Sequence, residues 1–280
     1  MALSIENKSP IPSKRQYSAK SLLRYPGGKT RAVKSIIQCF PGKPAALLSP
    51  FLGGGSVELA LAAGGTTVYG YDTFPPLVEF WQCVLKQPNA LANEVEKYFP
   101  LSKSAFYELQ QYQTTFHTRL ERAAVYYVLN RSSFSGSTLS GGMSPGHPRF
   151  THSAIERLRR FYNPNIIVKK ADYRLSLKAH PEMLAYLDPP YLIKSLLYGK
   201  KGNTHKDFDH EELALSLRNR ERWVLSYNDC PAIRHLYKGF RMITPNWKYG
   251  MGNDKTSKEI LIFSHDMNIP VSMRANNKSR

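Results

Sequence analysis

Residues 45–72 constrain the fold more tightly than any other stretch. Ala45-Ala46-Leu47-Leu48-Ser49-Pro50-Phe51 is an apolar run ended by proline, the pattern of a strand buried on both faces. Leu52-Gly53-Gly54-Gly55-Ser56 reads as a turn into a helix over about residues 57–63, and Thr67-Val68-Tyr69-Gly70-Tyr71-Asp72 as a second strand ending in an acid. Strand, glycine turn, helix and strand in that order make a βαβ unit, whose strands run parallel. The glycines let backbone N–H groups close on a ligand at the helix N-terminus. An acid at the tip of the second strand suits the two hydroxyls of a ribose. A nucleoside-containing cofactor is therefore expected, held by Phe51, Gly53, Gly54, Gly55 and Asp72. A nicotinamide dinucleotide competes, but the loop reads G-x-G-x-x-E, with Glu58 where a third glycine would stand.

A second concentration of chemistry lies at Ala185-Tyr186-Leu187-Asp188-Pro189-Pro190-Tyr191. Two prolines fix their own φ, restrict the residues before them and remove two backbone donors. What is left is a stiff ledge of carbonyls with an acid in front and a ring behind. Such a ledge suits a planar group bearing an NH₂: Asp188 and the Pro189 carbonyl accept its two N–H bonds while Tyr191 stacks on its face. The candidate catalytic residues are Asp188, Pro189, Pro190 and Tyr191, and a nucleobase is the expected substrate. Strand termination with Asp188 as a helix cap is the plainer alternative.

The rest of the chain arranges itself around these two stretches. Tyr25-Pro26-Gly27-Gly28-Lys29 is a turn before a helical stretch expected over residues 30–40. Ile166-Ile167-Val168-Lys169-Lys170-Ala171-Asp172, residues 183–187, Trp223-Val224-Leu225-Ser226-Tyr227-Asn228 and Lys258-Glu259-Ile260-Leu261-Ile262-Phe263 read as further strands, with a helix over residues 211–218. Strands alternating with helices indicate an open α/β sheet. Ligands in such sheets sit beyond the carboxyl ends of the strands, which is where Gly53, Asp72, Asp172 and Asp188 fall.

Between these halves, helical periodicity runs through residues 77–85, 91–98 and 105–129 and gives way to the polar, glycine-rich stretch 130–142. Asn130, Arg131, Phe134, Ser135 and Arg149, with Phe150, suit phosphates and base edges. A helix bearing Arg157, Arg159 and Arg160 follows. Charge supports a polyanionic partner: 39 Lys and Arg against 21 Asp and Glu give a net +18. Residues 1–20 read as a flexible basic arm and residues 269–280 as a basic tail.

Cys39, Cys83 and Cys230 form neither a CxxC pair nor a zinc set, so a reducing cytoplasm and no metal are expected. No apolar leader or 18-residue apolar run occurs, which predicts neither a signal peptide nor a membrane partner.

In their order along the chain, Leu23-Arg24-Tyr25-Pro26-Gly27-Gly28-Lys29, Pro50-Phe51-Leu52-Gly53-Gly54-Gly55-Ser56, Asp72, Leu129-Asn130-Arg131-Ser132-Ser133-Phe134-Ser135-Gly136, Asp188-Pro189-Pro190-Tyr191, Leu225-Ser226-Tyr227-Asn228-Asp229 and Lys258-Glu259-Ile260-Leu261-Ile262 resemble the D12 class of DNA N6-adenine methyltransferases, the DNA adenine methylase family. The resemblance covers about residues 20–265. It implies a Rossmann-like S-adenosylmethionine-dependent methyltransferase sheet (residues 21–84 and 166–268) with a mainly helical target-recognition insert (85–165). It implies S-adenosylmethionine as cofactor, bound by Tyr25, Gly28, Lys29, the 51–55 loop, Asp72, Asp172 and Asp188. It further implies site-specific methylation of a flipped adenine in double-stranded DNA by a monomer, with a cognate restriction endonuclease as a partner of some such enzymes. The chain departs from the family at Tyr25, where many members have Trp, and at Ser49, where Glu commonly precedes Pro-Phe. The ledge chemistry equally admits cytosine N4, RNA or a glutamine amide, and the missing acid at 49 admits an inactive nucleic-acid-binding relative.

Overall fold

The computed structural model describes residues 17–112, 115–136, 138, 141–144, 149–192, 208–245 and 259–267. Most of the basic arm, the basic tail and Lys258 lie outside the described residues. Seven strands, β1 (Ala46–Ser49), β2 (Thr67–Asp72), β3 (Ile166–Lys170), β4 (Ala185–Leu187), β5 (Trp223–Asn228), β6 (Arg241–Ile243) and β7 (Glu259–Phe263), form one sheet in the order β3-β2-β1-β4-β5-β7-β6. The first five run parallel, and β7 lies antiparallel between β5 and β6.

Strand side chains alternate strictly between two apolar layers. Leu47, Val68, Tyr186, Val224, Leu261 and Phe263 enter one layer; Leu48, Tyr71, Leu187, Leu225, Ile260 and Ile262 enter the other. Each such side chain contributes about 2 kcal/mol by burial, so a one-residue slip, which exchanges the layers, is strongly disfavoured. That register fixes which residues emerge at the strand ends.

Ten helices accompany the sheet among the described residues: α1 (Val33–Ile37), α2 (Ser56–Ala63), α3 (Pro75–Lys86), α4 (Pro88–Glu96), α5 (Lys103–Tyr112), α6 (Arg119–Ser132), α7 (His152–Arg159), α8 (Tyr173–Ala179), α9 (His210–Arg218) and α10 (Pro231–Leu236). The first layer contains α1 to α3 and runs without a break into α4 to α7; the second contains α8 to α10. The stretch expected to be helical over 30–40 is helical only in α1. The stretch expected over 105–129 is two helices, because Thr118 and Glu121 form a reciprocal capping box that starts α6 afresh. α6 also continues to Ser132, so Asn130 and Arg131 belong to its last turn rather than to a loop.

The strand order reverses between β1 and β4, which are neighbours through Leu48 and Ala185. The loops leaving these two strands, 50–55 and 188–192, therefore start side by side at the switch point of an open sheet, where ligand crevices form.

Candidate active site

Asp188 is the first residue beyond β4. Its Oδ1 lies 2.9 Å from the Lys29 ammonium, which is also 3.4 Å from Oε1 of Glu259 and donates to the Gly27 carbonyl at 3.0 Å. Lys29 is only 4% exposed, and a buried ammonium is costly unless paired. Burial pushes its pKa down, but Asp188 and Glu259 outweigh that and hold it above the ordinary value. Burial holds the Asp188 carboxyl above its usual range, with Lys29 opposing and the Glu259 charge adding. Two carboxyl groups thus share the Lys29 ammonium at the floor.

The ledge beyond Asp188 is fixed from below. The Tyr191 hydroxyl donates to Glu259, its ring packs on Tyr227 at 5.9 Å, and the Lys29 ammonium lies 4.9 Å from its centroid. Asn228 grips Leu192 at both ends, accepting from its N–H at 3.1 Å and donating to its carbonyl at 2.9 Å. Pro189 is buried and Pro190 half-buried.

On the neighbouring strands, Asp72 accepts from the Gly53 and Phe74 amides at 3.1 and 3.0 Å. Burial holds its carboxyl above the usual range, opposed by these backbone bonds. Gly53 and Gly55 adopt φ of +48° and +64°, and Tyr25 lies so close that a Cβ on Gly53 would fall 2.9 Å from its ring and one on Gly54 2.8 Å from its Cβ. Phe51 packs on Tyr173 and Phe208. Gly28 closes the turn by donating to the Tyr25 carbonyl. Residues 25–29 thus bridge the two loops: Tyr25 rests on the glycine loop and Lys29 on the ledge. Lys29, expected among the cofactor residues, is bound to Asp188. Asp172 caps α8 through the Arg174 amide and pairs with the Arg174 guanidinium.

The carboxylate missing at position 49 is supplied from α2. Glu58, 3% exposed, accepts from the Ser49 hydroxyl at 2.7 Å, and burial pushes its pKa up to about 7, with Ser49 and Lys29 opposing and Asp188 adding.

The recognition residues separate. Asn130 is fully buried and grips the Arg24 backbone, accepting from its N–H and donating to its carbonyl, both at 2.8 Å. The expectation that Asn130 contacts DNA is thereby corrected: its amide is committed inside the protein. Phe150, 3% exposed against Phe99, is likewise core. Arg131 donates twice to the Arg149 carbonyl, while Arg149 is exposed and Phe134 is 62% exposed. Ser135 lies in a short turn with Phe134 and Gly136. Gly136 has φ +78° and abuts the Arg24 carbonyl, so the Phe134 turn and Asn130 together bolt residues 24–29 to α6.

Sequence reasoning left out three residues of this site: Glu259, Asn228 and Glu58. Each is a polar residue at a strand end or helix start adjoining an apolar stretch, a weak but readable signal. Among the described residues no group of three His, Cys, Asp or Glu could hold a metal, and no helix is long and apolar enough to cross a membrane. The three cysteines are unbridged.

A family model for D12 class N6 adenine-specific DNA methyltransferases matches residues 25–251, from the Tyr25 turn past β6. Comparison with curated proteins gives no match. The matched span takes in the glycine loop, Asp72, the insert and the ledge, and the sheet has the Rossmann-like α/β form of such enzymes. The chain belongs to the D12 class N6 adenine-specific DNA methyltransferase family, and is an enzyme that methylates adenine N6 in DNA.

Proposed function

We propose that the ledge at 188–191 receives an adenine flipped from double-stranded DNA at specific sites, beside S-adenosylmethionine held at the 51–55 loop. One observation carries this reading: residues 25–29 join the glycine loop, through Tyr25, to Asp188, through Lys29. The residues present fit the cofactor. Positive-φ glycines open onto the start of α2, and a carboxylate has about four acceptor sites, so Asp72 has capacity left for a ribose hydroxyl beyond the Gly53, Phe74 and Thr73 amides. S-adenosylmethionine, when bound, supplies a methyl group already activated on a sulfonium.

The target base must leave the duplex, because its amino group is stacked and paired there. With Asp188 Oδ1 on Lys29, Oδ2 accepts one amino hydrogen and the Pro189 carbonyl the other. This localises the N6 lone pair, the Asp188 carboxylate stabilises the positive charge developing on N6, and the surplus amino proton then leaves along the Asp188 hydrogen bond. Tyr191 stacks on the ring. The insert at 85–165 reads the DNA through Arg131, Phe134, Ser135 and Arg149, packed on a catalytic unit of 21–84 and 166–268. A monomer in the cytoplasm, working with or without a cognate endonuclease, completes the reading.

The test is transfer of radiolabelled methyl from S-adenosylmethionine to duplex DNA, followed by nucleoside analysis. Label is expected in N6-methyladenosine. Asp188→Ala should lower the rate by about 10³-fold or more while retaining salt-sensitive DNA binding. Label on cytosine or RNA, or an active Asp188→Ala enzyme, contradicts the proposal.

A further inference from the structure

We propose that Glu259 is a positioning residue for methyl transfer, holding the Lys29 ammonium and the Tyr191 ring so that Asp188 and the ring meet the target amine together. The inference rests on the reading of Asp188 and Tyr191 as substrate contacts. Glu259 opens β7, and the four residues after it, Ile260 to Phe263, are all buried and apolar. The strand needs no acid there for packing, yet the carboxylate is only 5% exposed. A buried carboxylate is retained where partners hold it, and Glu259 faces the two groups that flank Asp188: Lys29 at 3.4 Å and the Tyr191 hydroxyl.

Its place in the sheet explains why it acts on the ledge as a whole. Glu259 is the register partner of Asn228 on β5, and Asn228 holds both backbone groups of Leu192. The open end of the β5–β7 pair thus grips the ledge twice, by the main chain just past it and by the ring at its end. Removing the Glu259 charge leaves Asp188 as the remaining carboxylate on the Lys29 ammonium and weakens the hold on the Tyr191 hydroxyl, which Asp188 also engages. Both changes act on the reacting base. Neither touches the 51–55 loop or Asp72.

The experiment measures methylation of duplex DNA by the full-length chain, titrating S-adenosylmethionine, for wild type, Glu259→Gln, Tyr191→Phe and the double variant, with Asp188→Ala as control. Glu259→Gln should lower kcat about tenfold or more with the KM for S-adenosylmethionine within about threefold of wild type. Tyr191→Phe should lose less, and the double variant should lose less than the product of the two single losses, because the Glu259–Tyr191 connection is counted in both. An unchanged kcat in Glu259→Gln, losses that multiply in the double variant, or a KM that rises as far as kcat falls would overturn the assignment. If Glu259→Gln does not fold, Tyr191→Phe decides: a slower enzyme supports the connection and an unchanged one removes it. Wild type inactive on adenine, or Asp188→Ala active, refutes the underlying reading of the ledge, an outcome distinct from a null result at 259.

Discussion

The floor beneath Asp188 and the proposed recognition insert, residues 85–165, use charge in opposite ways. At the floor Lys29, Glu259 and Glu58 are each no more than 5% exposed; Lys29 pairs with Asp188 and Glu259, and Glu58 accepts from Ser49. On the insert Arg149 stays in solvent, and the residue that is buried, Asn130, is neutral. The difference follows from what each region must do. Stabilising charge on one atom of a substrate needs dipoles and ions already fixed and dehydrated. Binding a polyanion draws on counterion release, which requires hydrated, mobile cations. Residues 24–29 belong to both regimes, gripped by Asn130 at one end and by the floor carboxylates at the other.

That joint can be broken first, because it should give the largest effect. Asn130→Ala removes two buried hydrogen bonds and leaves the Arg24 N–H and carbonyl unpaired, a loss of about 4 kcal/mol of stability. Urea unfolding should show it, together with weaker cofactor and DNA binding in the folded fraction. A variant as stable as wild type would show that the insert and the floor are independently held.

Glu58 sharpens the comparison at somewhat smaller amplitude. Its carboxyl titrates at about 7 when folded against an ordinary 4.5. Between those values the native state binds more protons than the unfolded one, so this group's contribution is fully present below about pH 4.5. It is lost as pH rises to about 7, and is constant above. Wild type should lose about 2 to 3 kcal/mol relative to Glu58→Gln between pH 5 and pH 8 in paired urea titrations. A difference that stays flat with pH would mean that the dry, charged floor is not dry at Glu58.

These residues also show how far the sequence could be read. The β1, glycine turn, α2 and β2 unit is local: its periodicity, glycines and terminal acid lie within residues 45–72. The ledge at Asp188 is legible in part for the same reason: two prolines beside an acid and a ring mark a stiff strand end, while the choice between a binding ledge and a plain strand stop depends on the rest of the chain. Asn130 was misread because polar, glycine-rich neighbours suggest a loop, whereas its true partner, Arg24, is 106 positions away. Glu259 depends on a sheet pairing that brings β7 beside β5 and on a lysine from the far end of the chain. The break between α5 and α6 is a different kind of failure: Thr118 and Glu121 carry a local start signal that hydrophobic periodicity alone passes over.

The smallest effect on stability belongs to Phe134, and it tests the recognition side of the comparison. The ring is 62% exposed, so truncation removes little buried area, and Phe134→Ala should alter the unfolding free energy by less than about 0.5 kcal/mol. If the exposed ring stacks on a base, affinity for duplex DNA should fall by about 1 to 3 kcal/mol, the usual worth of one base–aromatic contact. The slope of affinity against salt should stay unchanged, because no phosphate contact is removed. Arg149→Ala in the same background should do the reverse, reducing the salt slope. If Phe134→Ala binds DNA as tightly as wild type, the ring is not part of the interface. If it instead unfolds early, the turn at 134–136 serves the joint at Arg24 rather than the DNA, and the division between a rigid floor and a reading face has to be redrawn with Phe134 on the rigid side.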